Sequence, residues 1–127
     1  MPVPSDRKYS QTHEWFKVDG NVVTIGITKF AADELTDITY VQLPEVGTPV
    51  TGGSHFGEVE SVKATSELFT AVSGTVKQVN TRLATEPELV NNDPFGEGWM
   101  VKVECLDTSP LVHLMDGPAY GKMISEA

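Results

Sequence analysis

The sequence predicts a mostly β sandwich or barrel, and three observations lead there. Strand-like runs outnumber helix-like ones, and the clearest periodicity is of two residues. Turn residues punctuate the whole chain, with 11 Gly and 8 Pro in 127 residues. Short strands with frequent reversals build sandwiches and barrels rather than bundles.

Taken in order, the elements are local. Asp19-Gly20 lies between Glu14-Trp15-Phe16-Lys17-Val18 and Val22-Val23-Thr24-Ile25-Gly26-Ile27. Asp-Gly between such runs is a strong hairpin signal. Val23, Ile25 and Ile27 share one face of the second run, as period two requires. A short helix over 29–35 follows, with Thr28 as N-cap. Ile38-Thr39-Tyr40-Val41-Gln42-Leu43 reads as a strand ended by Pro44, and Gly52-Gly53 breaks the chain. Two further runs, 56–61 and 67–72, flank residues 62–65, and Ser73-Gly74 turns into a strand over 75–79. A short helix over 86–90 and a loop over 91–98 come next. Trp99, Val101, Val103 and Cys105 then alternate with Met100, Lys102 and Glu104, the cleanest strand pattern in the chain. Ser109-Pro110 reads as N-cap and first helical residue of a helix through Leu114, and Pro118 opens another.

Composition narrows the function. The length suits one domain spanning 1–127, since chains usually divide only above roughly 250 residues. Eighteen acidic and nine basic residues leave a net charge of −9. Such a chain is not expected to bind nucleic acid or an anionic membrane. The lone Cys105 cannot form an internal disulfide and sits in an alternating apolar strand, the place of a small core residue. His13, His55 and His113 are too scattered for metal-ligand spacing, so no metal is expected. The opening residues show no apolar h-region and no Arg/Ser-rich amphipathic stretch, which makes the cytoplasm the expected location. Glu58 and Glu60, two apart on a strand, suit a solvated face better than an acid/base pair. No self-sufficient active site assembles from these residues.

The most informative stretch is Glu60-Ser61-Val62-Lys63-Ala64-Thr65-Ser66. It puts one lysine among small neighbours at a predicted hairpin tip, where flanking strands direct a side chain toward a large partner. Spacing alone leaves two readings open: a solvated turn lysine, which is the commoner, or an attachment lysine for a prosthetic group.

With Ser73-Gly74 downstream, this stretch resembles the lipoyl-attachment hairpin of the glycine cleavage H-protein family. The resemblance runs along nearly the whole chain. Tyr9, His13-Glu14-Trp15 and Ile25-Gly26-Ile27-Thr28 are similar to family positions, as are Val41-Gln42-Leu43-Pro44-Glu45-Val46-Gly47 and Pro87-Glu88-Leu89-Val90-Asn91. Asp93-Pro94-Phe95-Gly96-Glu97-Gly98-Trp99 is similarly diagnostic. Lipoyl domains of 2-oxoacid dehydrogenases typically carry Asp-Lys-Ala, and biotin carriers Met-Lys-Met, where this chain has Val62-Lys63-Ala64. Three positions depart from the family pattern: Phe95 for a usual tyrosine, Lys29 for an acidic residue, and Thr36 for a glycine after the helix.

The resemblance implies a flattened barrel of two antiparallel sheets, lipoyl-domain-like, with short helices near the N-terminal third and over about 109–125. It implies lipoate attached covalently to Lys63 on a hairpin of about 56–72. The implied role is a carrier, not an autonomous enzyme. Its lipoyl-lysine arm takes the aminomethyl group of glycine from a PLP-dependent decarboxylase, the P protein. It delivers that group to a tetrahydrofolate-dependent aminomethyltransferase, the T protein, and is reoxidised by dihydrolipoyl dehydrogenase, the L protein. Lipoylating enzymes are further implied partners, and a monomer is the simplest state for a shuttle. By analogy Glu14 and Glu67, with Thr12 as a hydroxyl acceptor, line the cleft that shelters the loaded arm, while His13 and Trp15 serve packing or hydrogen bonding. An H-like protein acting in lipoate transfer or storage carries the same lysine and is the alternative.

Overall fold

The structure is a computed structural model and describes residues 3–126; Met1, Pro2 and Ala127, part of the expected 1–127 unit, lie outside them. Among the described residues, nine strands form two antiparallel sheets. They are β1 (Lys8–Tyr9), β2 (Glu14–Asp19), β3 (Val22–Ile27), β4 (Ile38–Gln42), β5 (Pro49–Val50), β6 (His55–Ser61), β7 (Thr65–Phe69), β8 (Gly74–Val79) and β9 (Val101–Glu104). The larger sheet has the order β1-β2-β3-β9-β8-β5, and the smaller β4-β6-β7. The α-helices of the described residues are α1 (Lys29–Leu35), α2 (Leu89–Asn92) and α3 (Gly117–Ser125).

The expected β2–β3 hairpin is present, one residue along. Asp19 pairs with Val22, so Gly20 and Asn21 form the loop and Gly20 takes φ 64°. Thr28 caps α1 as expected, its hydroxyl accepting the Ala31 N–H at 3.2 Å. Val23, Ile25 and Ile27 face inward with Phe16, meeting Val41, Val59 and Leu68 of the smaller sheet in the main core. On the opposite face of β2 and β3, Trp15 packs across Gly26. A second cluster of Tyr9, Trp15 and Tyr120 forms there under α3. The Trp15 indole N–H donates to the carbonyls of Ile27 and Pro94, both at 3.0 Å.

Four expectations shift. The strand expected over 67–72 spans Thr65–Phe69, because the Thr70 hydroxyl bonds both the N–H and the carbonyl of Val72 and curls the chain out of the ladder. The helix expected over 86–90 is Leu89–Asn92, starting after Pro87. Ser109 is not the cap: Thr108 is, and Ser109–His113 forms a 3₁₀ turn rather than an α-helix. Pro110 lacks the N–H that an α-helical ladder uses, which suits one tight turn. The strand expected over 99–105 forms a ladder only at Val101–Glu104, and Met100, read in alternation with Lys102 and Glu104, is fully buried. Pro118 sits in the first turn of α3, as expected, with Asp116 as cap.

Candidate functional site at the β6–β7 hairpin

Ser61 shapes the hairpin tip. Its N–H donates to the Ala64 carbonyl at 2.8 Å, while its hydroxyl accepts the Lys63 and Ala64 N–H groups at 3.1 and 3.0 Å. One short side chain thus satisfies the turn that a serine in this position is suited to make. Residues 62–65 are all exposed, and Val62 stands 70% open to solvent. The Lys63 ammonium donates to the Glu34 carbonyl, in the last turn of α1, at 3.0 Å. That carbonyl belongs to the negative end of the helix, so the contact is favourable yet weak enough to release. Among the ion pairs of the described residues none involves Lys63.

The outer face of the smaller sheet is acidic. Glu58 lies directly opposite Glu67, and Glu60 opposite Thr65. Like charges facing across a ladder are unfavourable, and the His55 ring places Nδ1 3.2 Å from the Glu67 carboxylate. Glu67 is about half exposed, on the strand that leads from the lysine.

Glu14 and Thr12 come together at the base of the hairpin. The Glu14 carboxylate is 2% exposed and accepts from the Ser10 hydroxyl at 2.7 Å, the Thr12 hydroxyl, and the Phe69 N–H at 3.2 Å. Glu14 starts β2 and Phe69 ends β7, so this carboxylate ties one sheet to the other. Burial pushes its pKa up, and the hydroxyl and backbone donors oppose that. Phe69 is five residues from Ala64, about 16 Å along a strand. The lysine itself therefore bonds at α1, and Glu67, paired with His55, lies between the tip and the anchored end. His13 and Trp15 occupy packing places: the His13 ring lies against Phe30 and its Nδ1 is 2.8 Å from the Tyr120 hydroxyl.

Three groups that hold the tip were not singled out from the sequence. The carbonyls of Glu34 and Asp37 accept from Lys63 and Val62, and Asn91 braces the backbone between residues 36 and 38. Backbone acceptors leave no signal in a sequence. Asn91 stood only within a motif, and Asn91-Asn92 read as the start of a loop.

The departures from the family pattern also find places. Lys29 pairs with Asp33 one turn along at 3.0 Å. Phe95 packs on Tyr9 and Trp15, with the Arg7 guanidinium over its ring. Thr36 takes φ 63°, ψ −146° as the C-cap of α1.

A two-sheet β sandwich that offers one lysine on a locked, solvent-facing hairpin has the form of a carrier. The comparisons agree with this class and make it particular. A family profile described as Glycine cleavage H-protein matches residues 7–127. The chain belongs to the glycine cleavage H-protein family. It is 53% identical to the glycine cleavage system H protein of Staphylococcus saprophyticus over 126 residues, 99% of this chain and 100% of that protein. It is 48% identical to that of Symbiobacterium thermophilum, covering 98% and 97%. The crystal structure of a glycine cleavage system H protein from Mycobacterium marinum superposes with a TM-score of 0.89 at 36% identity, covering 97% of this chain and 99% of that one. Among the described residues no helix is long and apolar enough to cross a membrane.

Proposed function

We propose that this chain is the lipoyl-bearing shuttle of the glycine cleavage system, with lipoate joined through an amide to Lys63 Nζ. The observation that carries the reading is the lysine itself, exposed on a tip whose turn is fixed by Ser61. The residues fit the group: the tip is open, the amine has no carboxylate partner among the described residues, and the flanking strands set its direction. Lipoate would supply a disulfide that takes up an aminomethyl group and, once reduced to the dithiol, is reoxidised. The partners on this reading are the glycine decarboxylase, the aminomethyltransferase, dihydrolipoyl dehydrogenase and the lipoylating enzymes. The chain works in the cytoplasm as a one-domain, monomeric carrier and is no enzyme on its own.

The chain's own residues shelter and steer. Glu14 carries three protein donors, and a carboxylate has about four acceptor positions. One position remains for an ammonium, with Thr12 beside it and Glu67 free to swing from His55. A cationic amine in a water-poor cleft needs such an anion. Glu58, Glu60 and Glu67 give the hairpin a negative face that speeds encounter with basic openings on several enzymes and keeps binding transient.

The test is the intact mass of protein from its native host, with peptide mapping over residues 56–77. A lipoyl increment on Lys63, absent in Lys63→Arg, is the expected result. A bare Lys63 after incubation with an active lipoylating system overturns the proposal. Exchange of labelled bicarbonate into glycine then separates the shuttle from a protein that only transfers or stores lipoate.

A further inference from the structure

The hairpin tip, closed on itself by Ser61, is also held from outside the hairpin. The Val62 N–H donates to the Asp37 carbonyl at 3.1 Å, and Lys63 Nζ to the Glu34 carbonyl at 3.0 Å. The first acceptor lies in the connection from α1 to β4 and the second in the last turn of α1 just before it, and that connection is strained. Thr36 is β-branched and sits at φ 63°, ψ −146°, close to a region that is essentially reserved for glycine. A strained link persists only where its surroundings over-determine it.

Asn91 supplies that constraint. Its Oδ1 accepts the Ile38 N–H at 2.9 Å and its Nδ2 donates to the Thr36 carbonyl at 2.7 Å. The two bonds bracket Asp37, whose carbonyl is aimed at Val62. Val90, fully buried beside it, roots Asn91 in the core. An amide is the side chain that offers one donor and one acceptor in a single plane; a carboxylate lacks the donor.

We propose that Asn91 is a positioning residue for modification of Lys63: its amide fixes residues 36–38 so that the Asp37 carbonyl holds the hairpin tip in the geometry that the attaching enzyme meets. The proposal rests on Lys63 being the attachment site. Asn91 touches neither the lysine nor the group it receives, and acts through two backbone links.

The experiment uses the full chain as wild type, Asn91→Ala, Asn91→Asp and, as a control, Asn92→Ala at the exposed neighbouring residue. Each is incubated with a lipoate-attaching ligase, ATP and lipoate. Modification is followed by mass, and amide exchange at Val62 by NMR. In Asn91→Ala, exchange at Val62 is expected to rise about tenfold, the effect of losing roughly 1.4 kcal/mol of hydrogen bonding. KM for the carrier rises by up to that factor, the limit reached where the clamped tip becomes the minor form, while kcat stays within about twofold, because KM follows the fraction of competent tip. Asn92→Ala matches wild type. Asn91→Asp follows Asn91→Ala at neutral pH. Its Val62 resonance returns toward the wild-type position as the new carboxyl takes up a proton near about pH 4 and regains a donor.

Unchanged KM together with unchanged Val62 protection in a folded Asn91→Ala overturns the proposal. So does an Asn91→Asp protein whose Val62 resonance ignores pH, and that result is decisive by itself if Asn91→Ala does not fold. A wild-type protein left unmodified refutes the attachment reading instead, and the positioning proposal falls with it; the Val62 exchange data then show whether the clamp itself exists.

Discussion

Replacing Thr36 by glycine should make this protein more stable. Thr36 closes α1 at φ 63°, ψ −146°, a conformation that costs a side-chain-bearing residue on the order of 1–3 kcal/mol. Its side chain is exposed, so little burial is lost on removal. The bonds at this position use peptide atoms that glycine keeps: its N–H to the Asp33 carbonyl at 3.3 Å, and its own carbonyl accepting from Asn91. Against the relief stands the extra freedom of glycine in the unfolded chain, about 0.5–1 kcal/mol. The balance is a gain of roughly 1 kcal/mol, which for a chain of this size raises Tm by roughly 3–6 °C. Urea unfolding checks this directly, with a higher midpoint at an unchanged m-value. A loss of stability, or a change inside the roughly 0.5 kcal/mol spread of ordinary surface substitutions, refutes the claim that strain is stored here.

Gly26→Ala is expected to cost about 2–3 kcal/mol, since a Cβ there would lie 2.7 Å from the ring carbons of Trp15, which is 1% exposed and pinned by two hydrogen bonds; urea midpoints measure it, and a neutral outcome means that the ring can retreat. Glu14 gives a pH prediction with a definite sign. Burial raises its pKa in the fold, so its contribution to stability is full below the ordinary glutamate pKa and is lost as pH rises through the raised value. Glu14→Gln removes this loss, so wild type should weaken relative to the variant between acid and neutral pH; a constant difference in urea midpoints across that range refutes the sign. Finally, turnover with the partner enzymes should fall several-fold as salt rises from low to high ionic strength, and neutralising Glu58, Glu60 and Glu67 to glutamine should flatten that dependence. Turnover insensitive to salt in the unaltered protein sinks the steering role.

Much of the fold was legible because its determinants are close together in the chain. The Thr28 cap, the β2–β3 hairpin and the alternation of Val23, Ile25 and Ile27 all involve neighbours within a few residues. The misjudgements trace to influences outside the periodic pattern. Thr70 bonding to Val72 stops β7, Pro87 delays α2, and Met100 is buried by what packs over it rather than by its own strand's pattern. Each depends on a competing local bond or on a distant neighbour that periodicity does not weigh.

The candidate site divides the same way. Lys63, its small neighbours and their place at a hairpin tip were legible in the sequence, because a turn is closed by groups two or three residues apart; that Ser61 closes it came from the structure. Tertiary structure alone decided that Glu14 is buried against Phe69, 55 residues on, and that Asn91 reaches back 53 and 55 residues to brace the link under the tip. Those bonds join residues that meet only after two sheets have packed. Their partners are largely backbone atoms, which every residue carries and which therefore give a sequence no means of announcing where they will be used.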